Sequence, residues 1–171
     1  PYQCAVCAVT GHINVHETGA IEATGHKVMG IESGDGKLTA EQIREVYSRH
    51  WTDESHEHIA QPKLVYISDS TEIGTIYTKN ELKEIYKACK ENDMYLFIDG
   101  ARLGYALASE DNDLDLKTIA ENCDVFYIGG TKCGAMFGEA LVILNNELKK
   151  DFRYVIKQKG GMLAKGWLLG I

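Results

Sequence analysis

Asp99-Gly-Ala-Arg102 follows at once on the apolar run Tyr95-Leu-Phe-Ile98. A carboxylate at the end of such a run is costly to desolvate unless a cation or a hydrogen-bond donor faces it. Two partners suit it: Arg102, in an ordinary turn, or the positive group of a ligand. A second run, Val125-Phe-Tyr-Ile128, leads into Gly129-Gly-Thr-Lys132-Cys-Gly134. The glycines let backbone come close to a ligand. Lys132, beside an apolar strand and between small residues, is set either to lose its proton by desolvation and attack an aldehyde, or to stand as a solvated loop lysine. The order is neither the GK[ST] of a nucleotide P-loop nor the GxGxxG of a dinucleotide fold. After a third run, Gln3 to Val9, comes Gly11-His12-Ile-Asn-Val-His16-Glu17. His12 can lie flat on an aromatic ligand, act as a base, or be structural.

Other clusters are weaker. Glu54, His56, Glu57 and His58 read as a solvated polar linker rather than a metal site. Cys4 and Cys7 form a CxxC with no second pair or histidine partner at zinc-finger spacing, and they sit inside a run that looks like a buried strand. No metal site is expected. Five cysteines, an odd number in a chain long enough to stabilise itself without cross-links, fit a reduced cytoplasmic setting.

The elements that must position these groups are legible as short β-branched and aromatic runs. Strands are expected at Gln3–Val9, Lys27–Ile31, Lys63–Ile67, Tyr95–Ile98, Val125–Ile128 and Ala140–Leu144, most of them with both faces buried. Between them, Thr39-Ala-Glu-Gln42 and Thr78-Lys-Asn-Glu81 have the form of capping boxes. Ile43, Val46 and Tyr47 follow the first on one helical face, and Leu82, Ile85, Tyr86 and Cys89 follow the second. A shorter helix is expected from about Leu116 to Asn122. Strands alternating with helices imply an α/β fold: a mainly parallel central sheet with helices on both faces and ligands at the carboxyl ends of its strands. Asp99, Lys132 and His12 each follow a strand, so all three can converge on that edge.

Composition narrows the partners. The 18 basic against 25 acidic residues leave a net charge of -7, the wrong sign for a nucleic-acid binder. No apolar run approaches the roughly 20 residues of a membrane span. A small-molecule ligand is expected. An acid for a pyridinium nitrogen, a lysine for an aldehyde and a flat ring for stacking are what pyridoxal phosphate needs from a protein.

His12 with Glu17 and Gly19-Ala20, then Asp99-Gly-Ala-Arg102, then Gly129-Gly-Thr-Lys132-Cys-Gly134, in this order, resemble the threonine aldolase and aromatic amino acid β-eliminating lyase family of fold-type-I pyridoxal phosphate enzymes. The resemblance covers essentially the whole chain. It is closest to the low-specificity L-threonine aldolase branch, which Pro62-Lys-Leu-Val-Tyr-Ile-Ser68, Tyr127-Ile-Gly129 and Ala164-Lys-Gly-Trp167 also resemble. It implies that Lys132 holds the cofactor through its aldehyde, that Asp99 pairs with the pyridine nitrogen and that His12 stacks on the ring. Arg102 would face the substrate carboxylate or the cofactor's phenolic oxygen, and Lys157 would reach the phosphate once a small gap is allowed.

The activity implied is a lyase cleaving the Cα–Cβ bond of threonine or allo-threonine to glycine and acetaldehyde. The alternatives are β-elimination from an aromatic or sulfur amino acid, and a non-catalytic fragment or pseudoenzyme. A homodimer or homotetramer is implied as well. Thr71-Glu72-Ile73-Gly74 departs from members that carry a histidine there, which leaves the base open among His12, His16, Glu72 and water. Pro1 in place of Met, and an end inside the helical-looking run Met162–Ile171, lead to the expectation that residues 1–171 are part of a cofactor-binding large domain. The phosphate loop would lie upstream and a small C-terminal domain downstream.

Overall fold

The structure, a computed structural model, describes residues 1–162. Its elements run β1 (Gln3–Ala8), α1 (His12–Val15), β2 (Lys27–Ile31), α2 (Ala40–Thr52), β3 (Gln61–Ser68), α3 (Lys79–Glu91) and β4 (Tyr95–Asp99). They continue with α4 (Leu103–Ala108), α5 (Leu116–Glu121), β5 (Val125–Gly129), β6 (Glu139–Ile143), α6 (Asn146–Lys149) and α7 (Phe152–Gln158). All six expected strands are present, β2 with the expected bounds and the other five with shifts of one or two residues at their ends. Of the expected final helix only Met162 falls among the described residues; Ala164–Trp167 lies outside them.

One sheet contains all six strands in the order β2-β1-β3-β4-β5-β6. The first five are parallel and β6 returns antiparallel against β5. The two capping boxes close as the sequence predicts. The Gln42 amide donates to the Thr39 hydroxyl at 3.2 Å while Gln42 Oε1 accepts from Thr39 N at 2.9 Å, and Glu81 and Thr78 repeat the pattern at 3.3 and 2.8 Å. Each box satisfies two backbone donors at a helix start, and so sets the frame in which α2 and α3 lay their apolar stripes on the sheet.

The larger core takes Ile43 and Val46 of α2, Leu82 and Ile85 of α3, Leu103 of α4 and Ile119 of α5 onto one sheet face, against Val6, Val65, Leu96 and Ile98. A smaller cluster on the other face joins Ile13 of α1 to Ala5, Cys7, Val28 and Tyr66, with Leu64 and Phe97 partly buried beside it. Cys4 belongs to the first cluster and Cys7 to the second. Strand side chains three apart point to opposite faces, so the CxxC has no redox or metal geometry. Burial raises the Cys7 thiol to about 12, with the nearby charges of Glu72 and Glu22 adding to it. Among the described residues no group of three or more metal-binding side chains is assembled.

Asp69, just past β3, is 3 % exposed, and its Oδ1 accepts from Tyr77 N at 3.4 Å. Burial raises its carboxyl from the ordinary 3.8 to about 6, against smaller opposing effects of the Tyr77 amide and of Lys37. The folded protein therefore holds this proton more tightly than the unfolded chain does. Its contribution is most favourable below pH 4, declines as pH rises from about 4 to 6 and is constant above that. Asp69→Asn is expected to stabilise the protein by about 2 kcal/mol at pH 7–8, somewhat less than the full linkage value, with the gain vanishing near pH 4. Thermal or urea unfolding across that range checks it, and a gain independent of pH would contradict the assignment.

Candidate active site

Three loops meet at the carboxyl edge of the sheet. The end of β4 and the end of β5 approach so closely that a Cβ on Gly100 would strike the carbonyl oxygen of Tyr127, and one on Gly129 would strike that of Ala101. Only glycine permits this contact, which Gly129 N seals by donating to Gly100 O at 2.8 Å. The result is that Asp99-Gly-Ala-Arg102 and Gly129-Gly-Thr-Lys132 are adjacent in space. At the third loop, Glu72 Oε1 accepts from Ser68 Oγ at 2.6 Å and from His12 N at 3.0 Å, tying the first residue of α1 to the end of β3.

His12, Asp99, Arg102 and Lys132 line one cavity of about 270 Å³, together with Glu17, Tyr127 and Glu139. Lys157, exposed on α7, is not among its lining residues. The resemblance alone supports its assignment to a phosphate. Lys132 is exposed, the solvated loop position that was one of the two open to it. It stands on the nine-residue hairpin loop between β5 and β6, projecting from the sheet edge instead of lying against an apolar strand.

Asp99 is 7 % exposed, and its partners are not the one an ordinary turn would supply. Tyr66 donates its hydroxyl to Oδ2, Tyr127 donates to Oδ1, and Ala101 N donates to Oδ1 at 2.9 Å. Arg102 lines the cavity and forms no ion pair among the described residues. Burial, and after it the Asp99 charge, raises the Tyr66 hydroxyl well above its ordinary value. Burial and the hydrogen bond to Asp99 do the same for Tyr127. Both phenols thus remain protonated donors throughout the neutral range.

His12 Nδ1 lies 2.6 Å from Glu17 Oε1. A carboxylate only accepts, so Nδ1 carries the hydrogen and Nε2 is the acceptor of the neutral ring. Sequence reasoning found His12, Asp99, Arg102 and Lys132 but assigned no role to Tyr66, Tyr127 or Glu139. The signal for the tyrosines was a phenol inside each of two apolar strands, where a buried hydroxyl needs a partner.

The donor set suits pyridoxal phosphate: a buried carboxylate held by neutral donors, a lysine, an imidazole and an arginine around one cavity. An open parallel sheet whose loops gather such groups at its carboxyl edge defines the α/β class that binds its ligands there. A model of the beta-eliminating lyase family matches residues 1–169, and the chain belongs to that family. It is 37% identical over 166 residues to the low specificity L-threonine aldolase of Pseudomonas sp., covering 96% of this chain and 47% of that protein. The structure of Leishmania major threonine aldolase superposes with a TM-score of 0.92 at 55% identity, over 99% of this chain and 48% of that one. Cystalysin from Treponema denticola, which contains a pyridoxal 5'-phosphate cofactor, shares the fold with a TM-score of 0.72 at 13% identity, over 99% and 43% of the two chains. The chain spans about half the length of the curated relatives it matches.

Proposed function

We propose that the protein to which this chain belongs is a pyridoxal phosphate-dependent lyase that cleaves L-threonine and L-allo-threonine to glycine and acetaldehyde. Residues 1–171 would form part of its cofactor-binding large domain. The observation that carries this reading is the cavity at the carboxyl edge, where Asp99, Lys132, His12 and Arg102 meet. Identity to low specificity L-threonine aldolases supports the substrate class.

When bound, the cofactor supplies an electron sink for the bond that breaks at the α-carbon. In this reading Lys132 would hold the cofactor through its aldehyde, and Asp99 would pair with its ring nitrogen. Arg102, which has no acid partner among the described residues, would hold the carboxylate of the amino acid. That fixes which bond at the α-carbon is aligned to break. His12 would stack on the ring, and its Nε2, with Nδ1 committed to Glu17, would take the hydroxyl proton of the substrate. Lys157 is proposed for the phosphate on the resemblance alone. A homodimer or homotetramer in the cytoplasm completes the proposal; all five cysteines are free, and among the described residues no helix is long and apolar enough to cross a membrane.

Titrating the full-length protein with pyridoxal phosphate should produce a visible absorbance band. Incubation with threonine should then yield acetaldehyde and glycine. Pyruvate and ammonia from tyrosine, tryptophan or cysteine would transfer the assignment to β-elimination, and the absence of any band would leave a non-catalytic protein.

A further inference from the structure

We infer that Tyr66 and Tyr127 are positioning residues for Asp99: reaching it from the two strands that flank β4, they fix both carboxylate oxygens and set how strongly Asp99 pairs with a cationic ring nitrogen. The inference rests on the function proposed above and adds two residues to it.

The geometry begins with strand alternation. Phe97 and Asp99 are two apart on β4 and share a face, and Tyr66 is in register with Phe97 across β3 and β4. The Tyr66 and Phe97 rings stack with centroids 5.8 Å apart and planes within 8°, and the Tyr127 ring leans on the other side of Phe97 at 6.1 Å. Three aromatic rings in a row across three strands leave each phenol little freedom to swing. The two bonds to Asp99 are therefore made by groups already in place, and they cost little side-chain entropy.

The identity of the donors matters more than their number. Apart from Tyr127, the charged or titratable side chains lining the cavity with Asp99 are His12, Glu17, Arg102, Lys132 and Glu139, and none of these five is hydrogen-bonded to it among the described residues. A guanidinium on Asp99 would orient the carboxylate and also neutralise it. Two neutral hydroxyls orient it and leave its full negative charge for a cation. Because burial and Asp99 hold both phenols protonated, they donate at every pH at which the enzyme would work. Ala101 N supplies the third bond on the loop side.

The test uses the full-length protein freed of cofactor, titrated by fluorescence with pyridoxal phosphate and with its analogue carrying carbon in place of the ring nitrogen. The ratio of the two affinities isolates what Asp99 contributes. We expect the wild type to favour pyridoxal phosphate by about tenfold or more, as for one hydrogen bond to a charged group. Tyr66→Phe and Tyr127→Phe, which remove only an O–H, should each cut that ratio about three- to tenfold, and the double variant should lose most of it, with affinity for the analogue unchanged. Should Tyr66→Phe fail to fold, Tyr127→Phe, whose ring is half-buried, carries the test alone. A phenylalanine variant that keeps the wild-type ratio overturns the inference. So does a wild type that binds both compounds equally. A wild type that binds neither overturns the proposed function, and the inference falls with it.

Discussion

Lys132→Ala in the full-length protein is expected to remove the visible absorbance of bound pyridoxal phosphate and to lower turnover by about 10³-fold or more, because removing a covalent nucleophile removes the step itself. The structure gives reason to expect a clean result. Lys132 lies on the loop between β5 and β6, and that loop is held by its backbone: Cys133 N and Ala135 N both donate to Gly130 O, at 2.9 and 3.0 Å. Gly130 N donates to Glu139 Oε2 at 2.9 Å, and the Tyr105 hydroxyl donates to Lys132 O at 2.5 Å. None of these bonds uses the lysine side chain, which is exposed. Alanine therefore deletes the amine without a cavity or a lost cap, and the melting temperature of the cofactor-free protein should stay within about a degree or two of the cofactor-free wild type. Lys132→Arg separates charge from nucleophilicity, since a guanidinium keeps the cation and does not attack an aldehyde. It should be as inactive as alanine. An unchanged spectrum with unchanged turnover in either variant would sink the assignment of Lys132.

How much of this was readable beforehand depended on whether the signal was local. β2 and the starts of α2 and α3 declare themselves within a few residues, through β-branched runs and through Thr39 with Gln42 or Thr78 with Glu81. Asp99 and Lys132 were legible because one ends β4 and the other lies three residues past β5, so topology alone brings them to one edge. The tyrosine pair on Asp99 was not legible. Tyr66 and Tyr127 are 61 positions apart in the chain and meet only through the order β3-β4-β5, which no local pattern encodes. The same non-locality explains Arg102: at a spacing of three it looks like the natural partner of Asp99, but the phenols and Ala101 N occupy the carboxylate. α4 was missed because Leu103–Ala108 is only six residues long and starts without a side-chain cap. The choice between a desolvated and a solvated Lys132 was open in the sequence for a related reason. Its apolar neighbours in sequence are on β5, and the hairpin carries it away from them.

Asp99→Asn is expected to lower turnover by about 10²- to 10³-fold, the range for losing one preorganised electrostatic group, while cofactor affinity falls much less. The choice of asparagine follows from the hydrogen bonds. Asp99 accepts from Tyr66, Tyr127 and Ala101 N. An asparagine keeps its oxygen for Ala101 N and one phenol, and the other phenol can rotate its hydroxyl to accept from the new amide. Packing and polar satisfaction survive, and the negative charge is lost. Asp99→Ala is the contrasting case. It leaves two hydroxyls in an apolar row without their acceptor, one of them on the buried Tyr66, at a cost of about 1–3 kcal/mol for each unsatisfied group. That variant should melt lower as well as turn over slowly, so its rate cannot be assigned to charge alone. The informative pair of measurements is therefore the melting temperature and kcat of the asparagine variant, with cofactor affinity from the absorbance titration. Near-wild-type melting with lost turnover means that Asp99 acts through its charge on the ring nitrogen. Normal turnover would mean that the buried carboxylate is there to hold β3, β4 and β5 together through the two phenols, and that the electron sink is tuned by some other group.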